Sequence, residues 1–322
     1  MIIWNLPKVE FKPLHDIQEK RPVAVVYSGP AWGKVKEKLH LRVETQIEVL
    51  QATQDSWEQQ SKDIIGEIIF GVGGGLAADA AKYFSIKTGL PMVCIPTALS
   101  VDAFFTWASG VRRDGCVYYI TTKVPELVII DLDVIAAAPD SIRAAGITDV
   151  LSIATGCWDW KFADERGRNP QGMEFIPWVY NTAQSILNGA LDCAEAAGRG
   201  NREGLKTLYD CLAMEVQLCN QVGHARPEEG SEHYFAYCVE NVMGHGLPHG
   251  DLVGPGIINA AEWQGQETQR LTAALRACNI PLDHIPPEIV KQTMRELPTF
   301  CNTHGLVYGI SHELMNLEAI RL

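Results

Sequence analysis

The sequence predicts an α/β domain built on a parallel sheet, followed by an all-α domain. Three observations carry this. Short apolar runs alternate with helix-like segments through the first part of the chain, a glycine run stands between one such run and a helix, and strand-like texture gives way to long stretches of helical spacing past about residue 140.

In chain order, residues 22–27 (PVAVVY) form a valine-rich strand, closed by the turn Ser28-Gly29-Pro30. Pro30 is placed to start a helix through 32–39. Residues 43–49 alternate as a second strand, and 64–72 (IIGEIIFGV) form a third, buried one. An alanine-rich helix over 76–88 ends at Gly89. Further strands lie at 91–96 and 127–130. Strands alternating with helices imply right-handed crossovers and a parallel sheet, whose ligands bind at the carboxyl ends of the strands. Helical spacing then covers 148–165, 178–197, 203–222, 231–243, 266–278 and 287–297. The boundary falls near 138–147, dividing the chain into 1–142 and 143–322.

Composition narrows the function. Among 322 residues, 27 Lys+Arg against 39 Asp+Glu leave a formal charge of -12, so the surface repels nucleic acid and anionic lipid. No apolar run reaches membrane-spanning length, and the first six residues do not read as a signal peptide. Nine cysteines without a CxxC pair argue against a disulfide framework and for a reducing, cytoplasmic setting. The expected partner is a small molecule, with no membrane insertion; a homo-oligomer is compatible with the sequence.

Three segments carry chemistry. The glycine run 71–82 (GVGGGLAADAAK) follows a strand and opens a helix, where Gly73, Gly74 and Gly75 let a diphosphate approach free backbone N–H groups. Asp79 either pairs with the helix dipole or contacts the nucleotide. In 96–102 (PTALSVD), Thr97, Ser100 and Asp102 cluster at the end of the next strand, as a binding loop or as local backbone caps. In the helical half, His233 and His249 lie 16 apart in 226–233 (RPEEGSEH) and 249–256 (HGDLVGPG), with Asp149 at the start of another helix. Two imidazoles and one carboxylate suit Zn²⁺ or Fe²⁺ with positions left open for a substrate oxygen. Spacing alone does not separate this from ordinary surface or core histidines.

These segments, with 144–152 (AAGITDVLS) and 158–163 (WDWKFA), resemble the family joining iron-containing alcohol dehydrogenases, glycerol dehydrogenases and dehydroquinate synthases. Within it the likeness is greatest to the sn-glycerol-1-phosphate dehydrogenases, over roughly residues 20–260. The resemblance implies a Rossmann-like nucleotide domain before a helical metal- and substrate-binding domain. It implies Asp149, His233 and His249 as metal ligands, Zn²⁺ first and Fe²⁺ second. It implies Gly73, Gly74, Gly75 and Asp79 at the cofactor diphosphate, Thr97 and Ser100 at the nucleotide, and Asp102 as an acid near the substrate. Ser28 stands where NAD-selective relatives carry Asp, so both NAD and NADP are expected. Ala103 and Leu76 replace a common Gly and a common Lys or Ser.

The implied reaction is metal-dependent hydride transfer from NAD(P)H to dihydroxyacetone phosphate, giving sn-glycerol 1-phosphate or a close polyol phosphate. Arg226 and Lys123 are candidates to meet the phosphate, and His245 to act as a proton carrier or an ordinary helix-end histidine. The alternatives are a dehydrogenase of an unphosphorylated polyol, a sugar-phosphate cyclase, which needs a denser set of basic residues than the sequence offers, and, least, a non-catalytic nucleotide-binding protein.

Overall fold

The computed structural model describes residues 3–113 and 116–314; the ends of the two expected segments, 1–142 and 143–322, lie outside the described residues. The strands are β1 (Lys8–Phe11), β2 (Val23–Tyr27), β3 (Val43–Glu48), β4 (Ile68–Gly73), β5 (Met92–Pro96), β6 (Ala108–Arg113), β7 (Cys116–Thr121) and β8 (Leu127–Ile130). Between them lie α1 (Ala31–Val35), α2 (Gln54–Gln60) and α3 (Gly75–Thr88). The helical remainder runs α4 (Leu132–Ala136), α5 (Asp140–Arg143), α6 (Ile147–Leu151), α7 (Ile153–Glu165), α8 (Pro177–Gly198), α9 (Arg202–Val222), α10 (Ser231–Met243), α11 (His249–Trp263), α12 (Gln269–Ala277) and α13 (Pro287–Thr303).

Six strands pair in the order β1-β8-β5-β4-β2-β3, all parallel. The central β4 and β5 are buried at every residue, which is why they read as unbroken apolar runs. Edge strand β3 instead alternates exposed and covered residues. From β2 the chain steps outward to β3 and then returns to the other side of β2 as β4. The switch point therefore lies between the carboxyl ends of β2 and β4.

Several elements depart from the sequence pattern. Strand β1 and the antiparallel hairpin β6–β7 are not evident from it: β1 and β6 have no apolar run, and the CVYYI run of β7 is largely exposed and stands outside the alternation of strand and helix. The third strand begins at Ile68 rather than residue 64, since a side chain at Gly66 would meet the Ala24 nitrogen at 2.9 Å. The expected helix 32–39 is a short α1 followed by a 3₁₀ turn over Lys36–Lys38. The stretch 148–165 is two helices meeting at Ser152, whose hydroxyl bonds back to the Thr148 carbonyl at 2.8 Å.

Helix α11 was hidden by its Gly- and Pro-rich sequence. A Cβ at Gly256 would lie 2.3 Å from the Glu232 carbonyl, and one at Gly254 2.4 Å from Ile280, so Gly256 lets α11 pack against α10 and Gly254 lets it pack against the segment after α12. The cysteines are free thiols, buried except for the half-buried Cys219. Among the described residues no helix is long and apolar enough to cross a membrane.

Candidate active site

A cleft of about 1870 Å³ lies between the carboxyl ends of the strands and the helical half. That exceeds the roughly 300–1,000 Å³ of a drug-sized pocket and suits a dinucleotide together with a substrate.

Its floor forms at the switch point. Ser28 follows β2, and Gly73 ends β4 with φ +145°. A side chain at Gly73 would sit 2.9 Å from Ser28 Oγ and 3.1 Å from Ala77 Cβ; one at Gly74 would sit 3.0 Å from Ser100 Oγ. The Thr97 N–H donates to the Gly73 carbonyl at 3.1 Å. The structure thus gathers Ser28, Gly73, Gly74, Gly75, Thr97 and Ser100 around the N-terminus of α3, whose first N–H groups have no helical partner. Asp79 also lines the cleft, but its carboxylate is engaged: Oδ1 lies 2.8 Å from the buried Lys82 Nζ, and Oδ2 accepts the Gly110 N–H at 3.0 Å. Lys82 in turn donates to the carbonyls of Ala103 and Ala108, tying α3 to the hairpin.

The opposite wall is assembled from three helices. Asp149 is in the first turn of α6, His233 in the first turn of α10, and His249 opens α11. One ligand atom of each lies within 4.8 Å of the others, and His249 Nε2 is 3.1 Å from Asp149 Oδ1. Two ligands of a tetrahedral Zn²⁺ at bond lengths of ~2.0–2.1 Å are about 3.3 Å apart. His233 Nδ1 lies 2.9 Å from Glu232 Oε1, leaving Nε2 as the ring's free donor atom. Glu232 is fully buried and held by the Thr155 hydroxyl at 2.7 Å and the Gly230 N–H at 2.6 Å. A carboxylate holding the far nitrogen of a ligating imidazole is a recurrent support of metal sites, so the residues present fit a divalent ion. Burial alone would depress the His233 pKa. Glu232, Glu229 and Asp149 outweigh it and hold the value up at about 9, a field that favours a cation here.

Asp102 couples floor and wall. Its backbone N–H donates to Asp149 Oδ2 at 2.9 Å, while Leu99 and Gly146 bond across at 2.8 Å. Burial, reinforced by Asp149, pushes the Asp102 pKa up to about 7. Asp102 also converges with Glu215 of α9 and Glu228 of the turn before α10, their carboxylate oxygens within 4.8 Å of one another. Burial raises both glutamates well above the ordinary carboxylate range.

The cations expected at a phosphate lie elsewhere. Arg226 is buried away from the cleft, donating to the Tyr308 carbonyl at 3.1 Å. Lys123 is outside the cleft, paired with Glu126. His245 lines it, with Nδ1 3.1 Å from the Met243 carbonyl just past the end of α10.

Sequence reasoning missed three residues. Glu232 was signalled by its place directly before His233. Glu215 was signalled by an acid falling among the buried Leu208, Cys211, Leu212 and Leu218 of one helix. Asp159 gave no signal. It is fully buried and accepts the Ser231 N–H at 2.8 Å and the Ile310 N–H at 2.9 Å, anchoring the start of α10.

A dinucleotide-sized cleft over a parallel sheet, with two imidazoles and a carboxylate converging on its helical wall, has the layout of a metal- and nucleotide-using oxidoreductase. The comparisons with known proteins agree. The iron-containing alcohol dehydrogenase sequence profile matches residues 12–139. A glycerol-1-phosphate dehydrogenase of Aeropyrum pernix, named for NAD(P)+, is 30% identical over 276 residues, 82% of this chain and 77% of that one. A second so named, from Sulfurisphaera tokodaii, is 30% identical over 72% of this chain and 67% of its own. A probable glycerol dehydrogenase from Sinorhizobium meliloti shares the fold at TM-score 0.69 and 18% identity, covering 99% of both chains. The chain belongs to the iron-containing alcohol dehydrogenase family. It is accordingly an NAD(P)-dependent oxidoreductase that works with a divalent metal.

Proposed function

We propose that the protein reduces dihydroxyacetone phosphate, or a closely related keto-polyol phosphate, to sn-glycerol 1-phosphate or its counterpart, at the expense of NAD(P)H. The observation that carries this is the convergence of Asp149, His233 and His249 beside the nucleotide cleft, in a chain whose similar relatives are named glycerol-1-phosphate dehydrogenases. Residues 1–142 serve as the nucleotide-binding unit and 143–322 as the metal- and substrate-binding unit.

Ser28, Gly73, Gly74, Gly75, Thr97 and Ser100 seat the cofactor, with its diphosphate over the N-terminus of α3. Asp79 supports the floor by holding the hairpin through Gly110 while pairing with Lys82 of its own helix. Asp149, His233 and His249 hold the divalent ion, Zn²⁺ first and Fe²⁺ second; two imidazoles and one carboxylate suit either. When bound, such an ion polarises a carbonyl oxygen and stabilises developing alkoxide charge. Glu232 keeps the His233 ring in one tautomer, and Asp102 is an acid facing the substrate beside Asp149. A reduced nicotinamide seated there would supply the hydride for the carbonyl carbon, and solvent would supply the proton that completes the alcohol. No acid stands at Ser28, and Lys34 and Lys38 line the cleft just beyond β2, which suits a 2′-phosphate and therefore NADPH beside NADH.

Oxidation of NADH and NADPH by the Zn²⁺-loaded protein is the test, with dihydroxyacetone phosphate, dihydroxyacetone and a chelator-treated control. Metal-dependent turnover of the phosphate, giving the sn-1 product, is expected; no turnover despite tight cofactor and metal binding sinks the substrate assignment. One observation favours a second reading, an unphosphorylated polyol: carboxylates converge on Asp102, while Lys82 and Arg112 are paired with Asp79 and Glu240 and Arg226 lies outside the cleft. Preferential turnover of dihydroxyacetone would decide for it.

A further inference from the structure

The acidic end of the cleft is a poor receptor for a phosphate as it stands. Asp102 follows β5, Glu215 comes from the middle of α9, and Glu228 lies in the turn before α10. Three separate elements therefore bring carboxylate oxygens within 4.8 Å of one another. Such a group is costly unless something cationic or a proton sits among it.

Glu215 supplies the independent observation. It is 1% exposed, and neither of its carboxylate oxygens has a hydrogen-bond partner among the described residues. Among the cationic side chains nearby, Lys82 is committed to Asp79 and the hairpin carbonyls and Arg112 to Glu240, while Arg226 lies outside the cleft, donating to the Tyr308 carbonyl with its Nε and Nη1 left without a partner among the described residues. Asn220, further along the same helix, lines the cleft with its Nδ2 also unpartnered. Buried carboxylates are ordinarily satisfied by N–H groups, as Glu232 and Asp159 are in this same fold. Glu215 is aimed instead at two more carboxylates.

We propose that Asp102, Glu215 and Glu228 hold a second, hard divalent cation of the Mg²⁺ or Mn²⁺ class at the base of the cleft, and that this ion receives the substrate's phosphate. The oxygen-only donor set selects the class, because hard ions take oxygen ligands at about 2.0–2.6 Å, whereas the neighbouring imidazole site suits Zn²⁺ or Fe²⁺. The placement selects the role. Asp102 and Glu228 face the cleft, Glu215 closes the set from behind, and ions of this class commonly complete their shell with water and substrate phosphate. The Asp102 N–H to Asp149 bond joins the two sites, so the second ion would sit beside the reacting carbonyl end. The phosphate half of this proposal rests on the function proposed above; the ion site does not.

The test needs no turnover. Protein loaded with one equivalent of Zn²⁺ is titrated with Mn²⁺, and free Mn²⁺ is followed by its electron paramagnetic resonance signal. One further equivalent is expected to bind. Glu215→Gln, confirmed folded by circular dichroism, is expected to weaken that binding about tenfold or more while retaining Zn²⁺. If that variant fails to fold, Glu228→Gln is read the same way. His249→Ala, which removes a residue of the other site, is expected to keep the Mn²⁺ site.

No second equivalent up to about 1 mM Mn²⁺, the weak end for such sites, overturns the proposal. So do folded glutamate variants that bind Mn²⁺ like the wild type, which would mean that the carboxyls simply share protons. Inorganic phosphate is then added and the water-proton relaxation of the Mn²⁺ complex measured. A change supports the phosphate role, and no change removes that half alone. A Mn²⁺ site in a protein inert toward dihydroxyacetone phosphate would count against the proposed substrate, not against the ion.

Discussion

The floor of the cleft and its helical wall are built on opposite principles. The floor is made of backbone: a glycine run, one serine after β2 and a short loop after β5, each local in sequence and brought together by sheet register. The wall is made of side chains from α6, α10 and α11, placed by buried polar bonds such as Thr155 to Glu232 and Asp159 to Ser231. A floor of backbone tolerates changes of side-chain chemistry but not of side-chain size. A wall of side chains tolerates neither loss nor misorientation, because each atom has one job.

That contrast orders the expected effects of substitution. The largest falls on the wall. His249→Ala, or removal of the ion by a chelator, is expected to abolish turnover with cofactor binding retained, as read by metal content, activity and nucleotide fluorescence. A mutant that stays active without metal would break the comparison at its strongest point.

Glu232→Gln keeps the size of the side chain but withdraws the charge behind His233. Metal affinity is expected to fall about 10–100-fold, the usual effect of losing such a support. Competition with a chromophoric chelator measures it, and an unchanged affinity would mean that Glu232 serves packing alone.

On the floor, Gly73→Ala brings a methyl group within 2.9 Å of Ser28 Oγ at a φ of +145°. The Kd for NADPH is expected to rise about tenfold, ~1.4 kcal/mol, with metal content untouched. Loss of the metal as well would show that floor and wall are not separable. The smallest effect is expected from Lys34→Ala. A partly exposed charge contributes only about 1 kcal/mol or less, so KM for NADPH should rise a few-fold and KM for NADH hardly at all. Equal changes for both cofactors would place Lys34 away from the 2′-phosphate.

The two regions also differ in how far they could be read from sequence. Gly73, Gly74, Gly75, Thr97 and Ser100 are legible because the floor is local. A strand, a tight turn and a helix start follow one another within a few residues, and each has a compositional mark. His233, His249 and Asp149 were legible as residues, through the motifs around them, but not as a site, since nothing in their spacing brings three helices together. The α11 helix was obscured because its glycines serve packing contacts rather than helix formation. The placement of Arg226 and Lys123 away from the cleft could not be read at all, because a long basic side chain can turn either way from its backbone.

The sequence by itself determined the parallel sheet, the helical half and the motifs that supply the floor and the candidate ligands, because periodicity, glycine placement and short motifs act over a turn or a strand. Only the tertiary structure decided that His249 returns to Asp149, that Glu232 stands behind His233, and that Asp102, Glu215 and Glu228 face one another. Apart from the adjacent Glu232 and His233, those contacts join residues far apart in the chain, and in every case the geometry is set by how whole elements pack, a property that no local pattern encodes.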